Sequence, residues 1–234
     1  MALVAVAQNS GGEDRLPVLK YDARAGRFFL MDRVENNGVW ETVQTELQTA
    51  SATFAVDFGS VEVGWFLFPK GAAPMMITVP FGQPIPAQPA AVGTIKDDRT
   101  GKERPNNFKQ GFRVKVAGKA LAGTVNGTVR ELAANAGVTI EGLNDLHTAF
   151  EAAPEAAAGK IPVVKVAQVI PTKSGQSTNY KPTFEIVTWA DRPTDMLGPR
   201  TVPAPITKPA APVPAAVAAA PATTAAAIND EIPF

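Results

Sequence analysis

The sequence predicts a mainly β chain with inserted helices, α+β in class and barrel-like in pattern, followed by a tail that cannot join the fold. Three observations carry this. The 234 residues include 21 Pro and 19 Gly, which favours strands and turns over packed helices. Alternating or β-branched apolar runs recur from Phe28 to Trp189, with two helix-like stretches between them. After Trp189 the composition changes: residues 198–227 hold seven Pro and twelve Ala in thirty positions, with almost no charge.

The length suits one good-sized core with insertions. Residues 1–15 read as a flexible leader; Met1 to Ala7 is apolar but lacks the basic start and the length of a signal peptide. Phe28 to Met31 suits a buried strand, and Asn36-Asn37-Gly38 a turn. Val39 to Leu47 reads as an extended segment. Ser51 to Phe58 and Val61 to Phe68 read as two strands of a hairpin, joined by the two residues Gly59-Ser60. In the second, Val61, Val63, Trp65 and Leu67 share one face, and Glu62, Gly64, Phe66 and Phe68 the other. Met75 to Val79 is a further strand. Pro80 to Pro89 is a loop, because its four prolines forbid a helix. The charged stretch ending at Asn106-Asn107 reads as an exposed loop.

Phe108 to Val116 alternates cleanly. Phe108, Gln110, Phe112, Val114 and Val116 fall on one face; Lys109, Gly111, Arg113 and Lys115 fall on the other. Thr128 to Ala136 reads as a helix, with Thr128 and Glu131 spaced as a capping box and Gly137 ending it. Leu143 to Ala153 reads as a second helix. Ile161 to Ile170 and Tyr180 to Trp189 read as strands of a closing hairpin with a polar tip.

Chemistry is defined as much by what is missing. With no Cys and one His, the chain offers no thiolate, disulfide or paired-His metal site, and His147 reads as a surface or rim residue. No phosphate-cradling Gly-rich loop and no nucleophile elbow occurs. The expectation is a non-enzyme without cofactor; a carboxylate-metal nuclease would need acids converging from distant segments. No apolar run reaches the roughly 18 residues of a membrane span, so the expected location is cytoplasmic, with no membrane partner.

Net charge is zero, yet unevenly distributed. Lys96 to Lys119 holds eight basic residues against three acids, and Lys160 to Lys181 four lysines and no acid. Glu35 to Glu62 holds five acids and no Lys or Arg. Basic residues interleaved with aromatic rings suit single-stranded nucleic acid, because cations track phosphates while rings stack on bases. The residues that combine these features are Lys109, Arg113, Lys115, Lys173 and Lys181, with Trp65, Phe66, Tyr180 and Trp189. Each of those four rings is equally well explained as core, and Phe112 reads as core.

The chain ends Asp230-Glu231-Ile232-Pro233-Phe234, two acids beside an aromatic residue that bears the α-carboxylate. A strand-rich core, then a Pro/Ala tether, then this acidic Ile-Pro-Phe tip resembles the single-stranded DNA-binding proteins of bacteria and their phages. The resemblance rests on the tip and the tether; the core carries none of the bacterial family's motifs. It implies a divergent, phage-encoded member with an OB-fold-like five-stranded barrel, long loop insertions and a disordered C-terminal tail. The organisation is then a flexible leader at 1–15, an OB-like nucleic-acid-binding core at 16–197, a disordered tether at 198–227 and a partner-binding tip at 228–234. The resemblance also implies protection of single-stranded DNA in a bacterial or phage-infected cell. Replication, recombination and repair proteins would be recruited through Asp230, Glu231, Ile232, Pro233 and Phe234, and a homo-oligomer is compatible with it. The alternative is a phage structural or replication scaffold protein with a docking tail and no DNA contact.

Overall fold

The computed structural model describes residues 16–69, 72, 74–97, 101–123, 129–174 and 177–197. The leader, the tether and the tip therefore lie outside the described residues. Eleven strands follow in chain order: β1 Val18–Asp22, β2 Arg27–Asn36, β3 Val39–Glu46, β4 Thr53–Leu67, β5 Met75–Pro80, β6 Thr94–Lys96, β7 Glu103–Pro105, β8 Lys109–Ala117, β9 Val129–Ala134, β10 Ile161–Ser174 and β11 Ser177–Ala190. Helix α1 (Gly137–Glu151) and the short α2 (Pro154–Ala157) separate β9 from β10, and α3 (Thr194–Leu197) follows β11. Nine strands form one sheet in the order β11-β10-β4-β8-β9-β1-β2-β3, with β5 added to β4, while β6 and β7 pair separately. All contacts in the main sheet are antiparallel except β1 with β9.

The chain is thus mainly β with few helices, its sheet curled into a half-barrel around one core. Leu19, Phe28, Leu30, Phe54, Val56, Phe112, Val114, Val116, Leu132 and Val164 meet inside, and Leu143 and Leu146 of α1 close one side. Where the curl brings distant strands together, the Tyr180 N–H donates to Ala23 O at 2.7 Å. The Tyr21 hydroxyl donates to Tyr180 O at 2.8 Å.

Several elements sit where the residue pattern puts them. Phe28, Leu30 and Asp32 alternate inward along β2, as a half-buried strand requires. Asn37 and Gly38 both take positive φ, 51° and 78°, the geometry of a two-residue hairpin turn. β3, β5, β8, α1 and the β10–β11 hairpin also occur as expected, although α1 starts earlier, at Gly137.

Two expectations are overturned. Ser51–Phe58 and Val61–Phe68 do not form a hairpin: together they supply the single strand β4. A two-residue turn needs positive φ at its centre, and neither Gly59 nor Ser60 adopts it. Instead β8 pairs with both halves of β4, with a register shift between Asp57 and Glu62. Side chains fill the resulting bulge. The Asp57 carboxylate accepts the Gly59 N–H at 3.1 Å, the Ser60 hydroxyl donates to Asp57 O at 2.7 Å, and Ser60 Oγ accepts the Lys115 N–H at 2.9 Å. Second, the segment read as a helix from Thr128 to Ala136 contains strand β9, and Gly137 opens α1 instead of ending a helix. Arg, Glu, Leu and Ala favour helix by only tenths of a kcal/mol each. Pairing on both sides, with β8 and with β1, outweighs that preference.

Tyr21 links the fold to pH. Its hydroxyl is pushed up to about 12, first by burial and then by the neighbouring Asp22 carboxylate. An acid whose folded pKa exceeds its unfolded value stabilises fully below the unfolded value, near 10, and loses that contribution as pH rises toward 12. Urea denaturation should therefore show stability declining between pH 10 and 12, and Tyr21→Phe should flatten that decline.

Candidate nucleic-acid interface

The basic face of β8 is the outer face of the sheet, and two of its cations, Arg113 and Lys115, are engaged inside the molecule. Arg113 Nε and Nη2 donate to Glu62 Oε2 at 2.9 and 2.6 Å, and its Nη1 lies 3.7 Å from Glu131. Thr78 Oγ1 also donates to Glu62. Lys115 is buried, and its Nζ donates to Met196 O of α3 at 2.9 Å. Beside it Arg192 pairs with the buried Asp57 at 2.7 Å. Leu16, Ala55, Ala117, Val129, Ile161 and Met196 form a second apolar cluster under the same segment. The expectation of an open basic strand face is therefore corrected at Lys115 and narrowed at Arg113.

Phe66 is fully buried and cannot serve as a stacking surface. Its ring explains Gly111: a Cβ there would collide with Phe66 and with Ala134 O. The glycine that suggested a close approach by a ligand accommodates the protein's own side chain.

The remaining predicted residues fall into three places. Lys109 is exposed at the start of β8, directly across from Phe66 of β4, whereas Trp65 pairs with Gln110 and so lies on the opposite face of the sheet. Trp65 is half-buried, and its indole N–H donates to Pro86 O at 2.8 Å, holding the Pro-rich loop against the strand. Lys173 is exposed near the tip of the β10–β11 hairpin, and Tyr180 is half-buried where that hairpin meets the β1–β2 turn. Lys181 and Trp189 lie along α1. Lys181 Nζ sits 2.6 Å from Asp145, a bond that holds its ammonium above the ordinary value. Trp189 packs 6.0 Å from Phe150. His147 sits nearby, with its ring against Phe58 and the exposed Phe81.

These places do not merge into one groove. β10 pairs with the first residues of β4, Thr53 to Ala55, and runs on past them. Lys173 and Tyr180 therefore leave β4 at one end, while Trp65 and Lys109 stand at the other. Between β4 and β8 the insertion adds a β6–β7 hairpin with exposed Lys96, Lys102 and Arg104; Arg104 lies 3.6 Å from Asp97.

Sequence reasoning missed the acids that neutralise β8. Read as one strand, β4 places Glu62 directly across from Arg113; read as a hairpin, it does not. The outward register of Glu131 was likewise hidden by the helical reading of β9.

Among the described residues, no group of His, Cys, Asp and Glu could hold a metal ion, and no helix is long and apolar enough to cross a membrane. No family model, no curated protein and no solved structure matches the chain.

Proposed function

We propose that the protein binds single-stranded DNA without sequence preference and recruits replication, recombination or repair proteins through Asp230–Phe234. The observation that carries this reading is connectivity. A long bent strand (β4) is followed by two antiparallel strands (β8, β9), a helix (α1) and a hairpin (β10, β11), and β4 lies between β8 and β10. That order is the one expected of an OB-type core, whose first and last strand connections flank the oligonucleotide. Here those connections are the insertion between β4 and β8 and the β10–β11 tip. The insertion carries Lys96, Lys102 and Arg104, and Trp65, Lys109, Lys173 and Tyr180 lie on the strand ends that adjoin these connections. The β1–β3 meander is then an addition to the core, and the parallel partner of β9 is β1. The acidic Ile-Pro-Phe ending supports the same reading from the other end of the chain.

The test is a fluorescence titration of labelled oligo-dT at several salt concentrations. Binding should weaken steeply with salt, and Lys109→Glu with Lys173→Glu should lower the salt slope by about 0.7 for each phosphate no longer neutralised. Deleting Asp230–Phe234 should leave DNA affinity intact or raise it, while abolishing partner recruitment. Absence of binding at low salt would defeat the reading. The internal pairing of Arg113 and burial of Lys115 favour a second reading in that case: a phage structural or replication scaffold protein with a docking tail.

A further inference from the structure

Three strands lie at the ends and the branch of the main sheet among the described residues, and β10 also has one open side past Lys165, where a register shift at Val166/Gln168, Pro171 and Lys173 interrupt it. β11 is blocked: its Tyr180 N–H is taken by Ala23, Pro182 has no N–H, and Gly142 of α1 packs against Pro182 O. β5 is short, half-buried along most of its length and ends at Pro80. β3 is eight residues long, and it contains no Pro, Gly or Lys and no bulge. These are the usual devices that keep an edge from pairing with another chain. Of the β3 side chains described, only Val43 is half-buried; Val39 is 61% exposed.

The hydrogen-bond phase of β3 follows from its hairpin. The Leu47 N–H donates to Phe28 O, and the two-residue turn pairs Asn36 with Val39. Odd-numbered residues thus bond to β2, and the N–H and C=O groups of Trp40, Thr42, Gln44 and Glu46 point away from it.

We propose that β3 pairs antiparallel with β3 of a second copy of this chain, about a dyad at Val43, joining two sheets edge to edge. In this register Thr42 faces Gln44 of the second copy, Glu41 faces Thr45 and Trp40 faces Glu46. All four outward residues find partners, giving about eight interchain hydrogen bonds, because each such pair exchanges two. The strand's only charges are Glu41 and Glu46, and Glu46 already pairs with Arg27 at 3.0 Å. No acid faces an acid. A shift of two residues either way sets Glu41 against Val43 or Leu47 and leaves outward groups without partners.

Charge also argues against other occupants. With Glu46, Asp57 and Glu62 paired to arginines, the acids left on and beside this edge are Glu35 and Glu41; they disfavour a phosphate backbone and the acidic tip, whereas in the two-fold register each Glu41 faces Thr45. Because β11 is blocked, β3 cannot pair with it head to tail. The association closes as a two-fold dimer and does not propagate.

The full chain in solution should therefore have twice the mass of the 24.5 kDa chain by light scattering at tens of micromolar. Thr42→Pro should shift it to monomer by at least tenfold in dissociation constant. The Thr42 N–H lies outside the ladder to β2, so circular dichroism should be unchanged. The chain has no Cys, which allows a clean register test. At the dyad the two Val43 Cα atoms stand about 4.5 Å apart, within disulfide reach. Val43→Cys should cross-link readily under mild oxidation, Glu41→Cys at least tenfold more slowly, and the Glu41→Cys/Thr45→Cys pair readily again. A monomeric wild type at about 100 µM, well inside the micromolar-to-millimolar range in which unpaired strand edges associate, or a Thr42→Pro chain that still dimerises, overturns the proposal. So does Glu41→Cys linking as fast as Val43→Cys, a comparison that decides even where Thr42→Pro fails to fold.

Discussion

Arg130→Met is expected to lower stability by about 3–5 kcal/mol, because it leaves the Asp32 carboxylate buried without its cation. The two side chains lie 2.6 Å apart and are both 0% exposed. Arg130 also holds the surrounding chain together. Its Nε donates to Leu121 O at 2.5 Å, and its other nitrogens reach Val18 O and Ala122 O at 3.4 Å. One guanidinium therefore ties β9 to β2, β1 and the 3-10 turn at Lys119–Leu121. Gly123, at φ 58°, has no room for a Cβ, which would collide with both Arg130 and Asp32. In a domain of this size the loss corresponds to about 6–20 °C in Tm. Asp32→Leu combined with Arg130→Met should recover most of it, since an apolar pair carries no desolvation penalty. A double-mutant cycle by urea denaturation measures both values; a single-variant cost below about 1 kcal/mol would contradict a dry, mutually dependent pair.

Phe66→Ala is the second large effect, and it separates fold from function. Phe66 is 0% exposed, with its ring 6.1 Å from Phe68 and filling the space above Gly111. Truncating a buried Phe costs about 3–5 kcal/mol through lost burial and the cavity left behind. A stacking platform would behave in the opposite way, losing about 1–3 kcal/mol of binding with little change in stability. The expected outcome is a fall in Tm with oligo-dT affinity unchanged within twofold at a temperature where the variant is folded. A stable Phe66→Ala protein with weakened DNA binding would return Phe66 to the interface.

The sequence was most legible where local chemistry acts alone. Asn37-Gly38 specified a turn, the alternation of Phe112, Val114 and Val116 specified a buried strand face, and four prolines specified the loop after β5. It was least legible where pairing partners decide. Gly59-Ser60 has the length of a hairpin turn, and only the hydrogen bonds of Asp57 and Ser60 make it a bulge. The residues of β9 have helical propensity, and only flanking strands override it. The candidate site suffered from the same cause. Cations can be counted from sequence, but Glu62 and Glu131 neutralise Arg113 through cross-strand register, and Lys115 is covered by a segment 81 residues away. The exposed cations at the two strand connections follow from topology, which emerges only when β4 is seen to lie between β8 and β10.

The clamp at the end of the fold has a mechanical consequence. Met196 is 2% exposed and its carbonyl is held by Lys115, while Arg192 grips Asp57. The last described residues are thus fastened to β4 and β8, in the interior of the sheet, although they continue directly from β11 at its edge. A load applied beyond Leu197 therefore meets the Lys115 and Arg192 contacts before it reaches Ala190. Those two contacts shield the end of β11, the strand that would otherwise peel one hydrogen bond at a time.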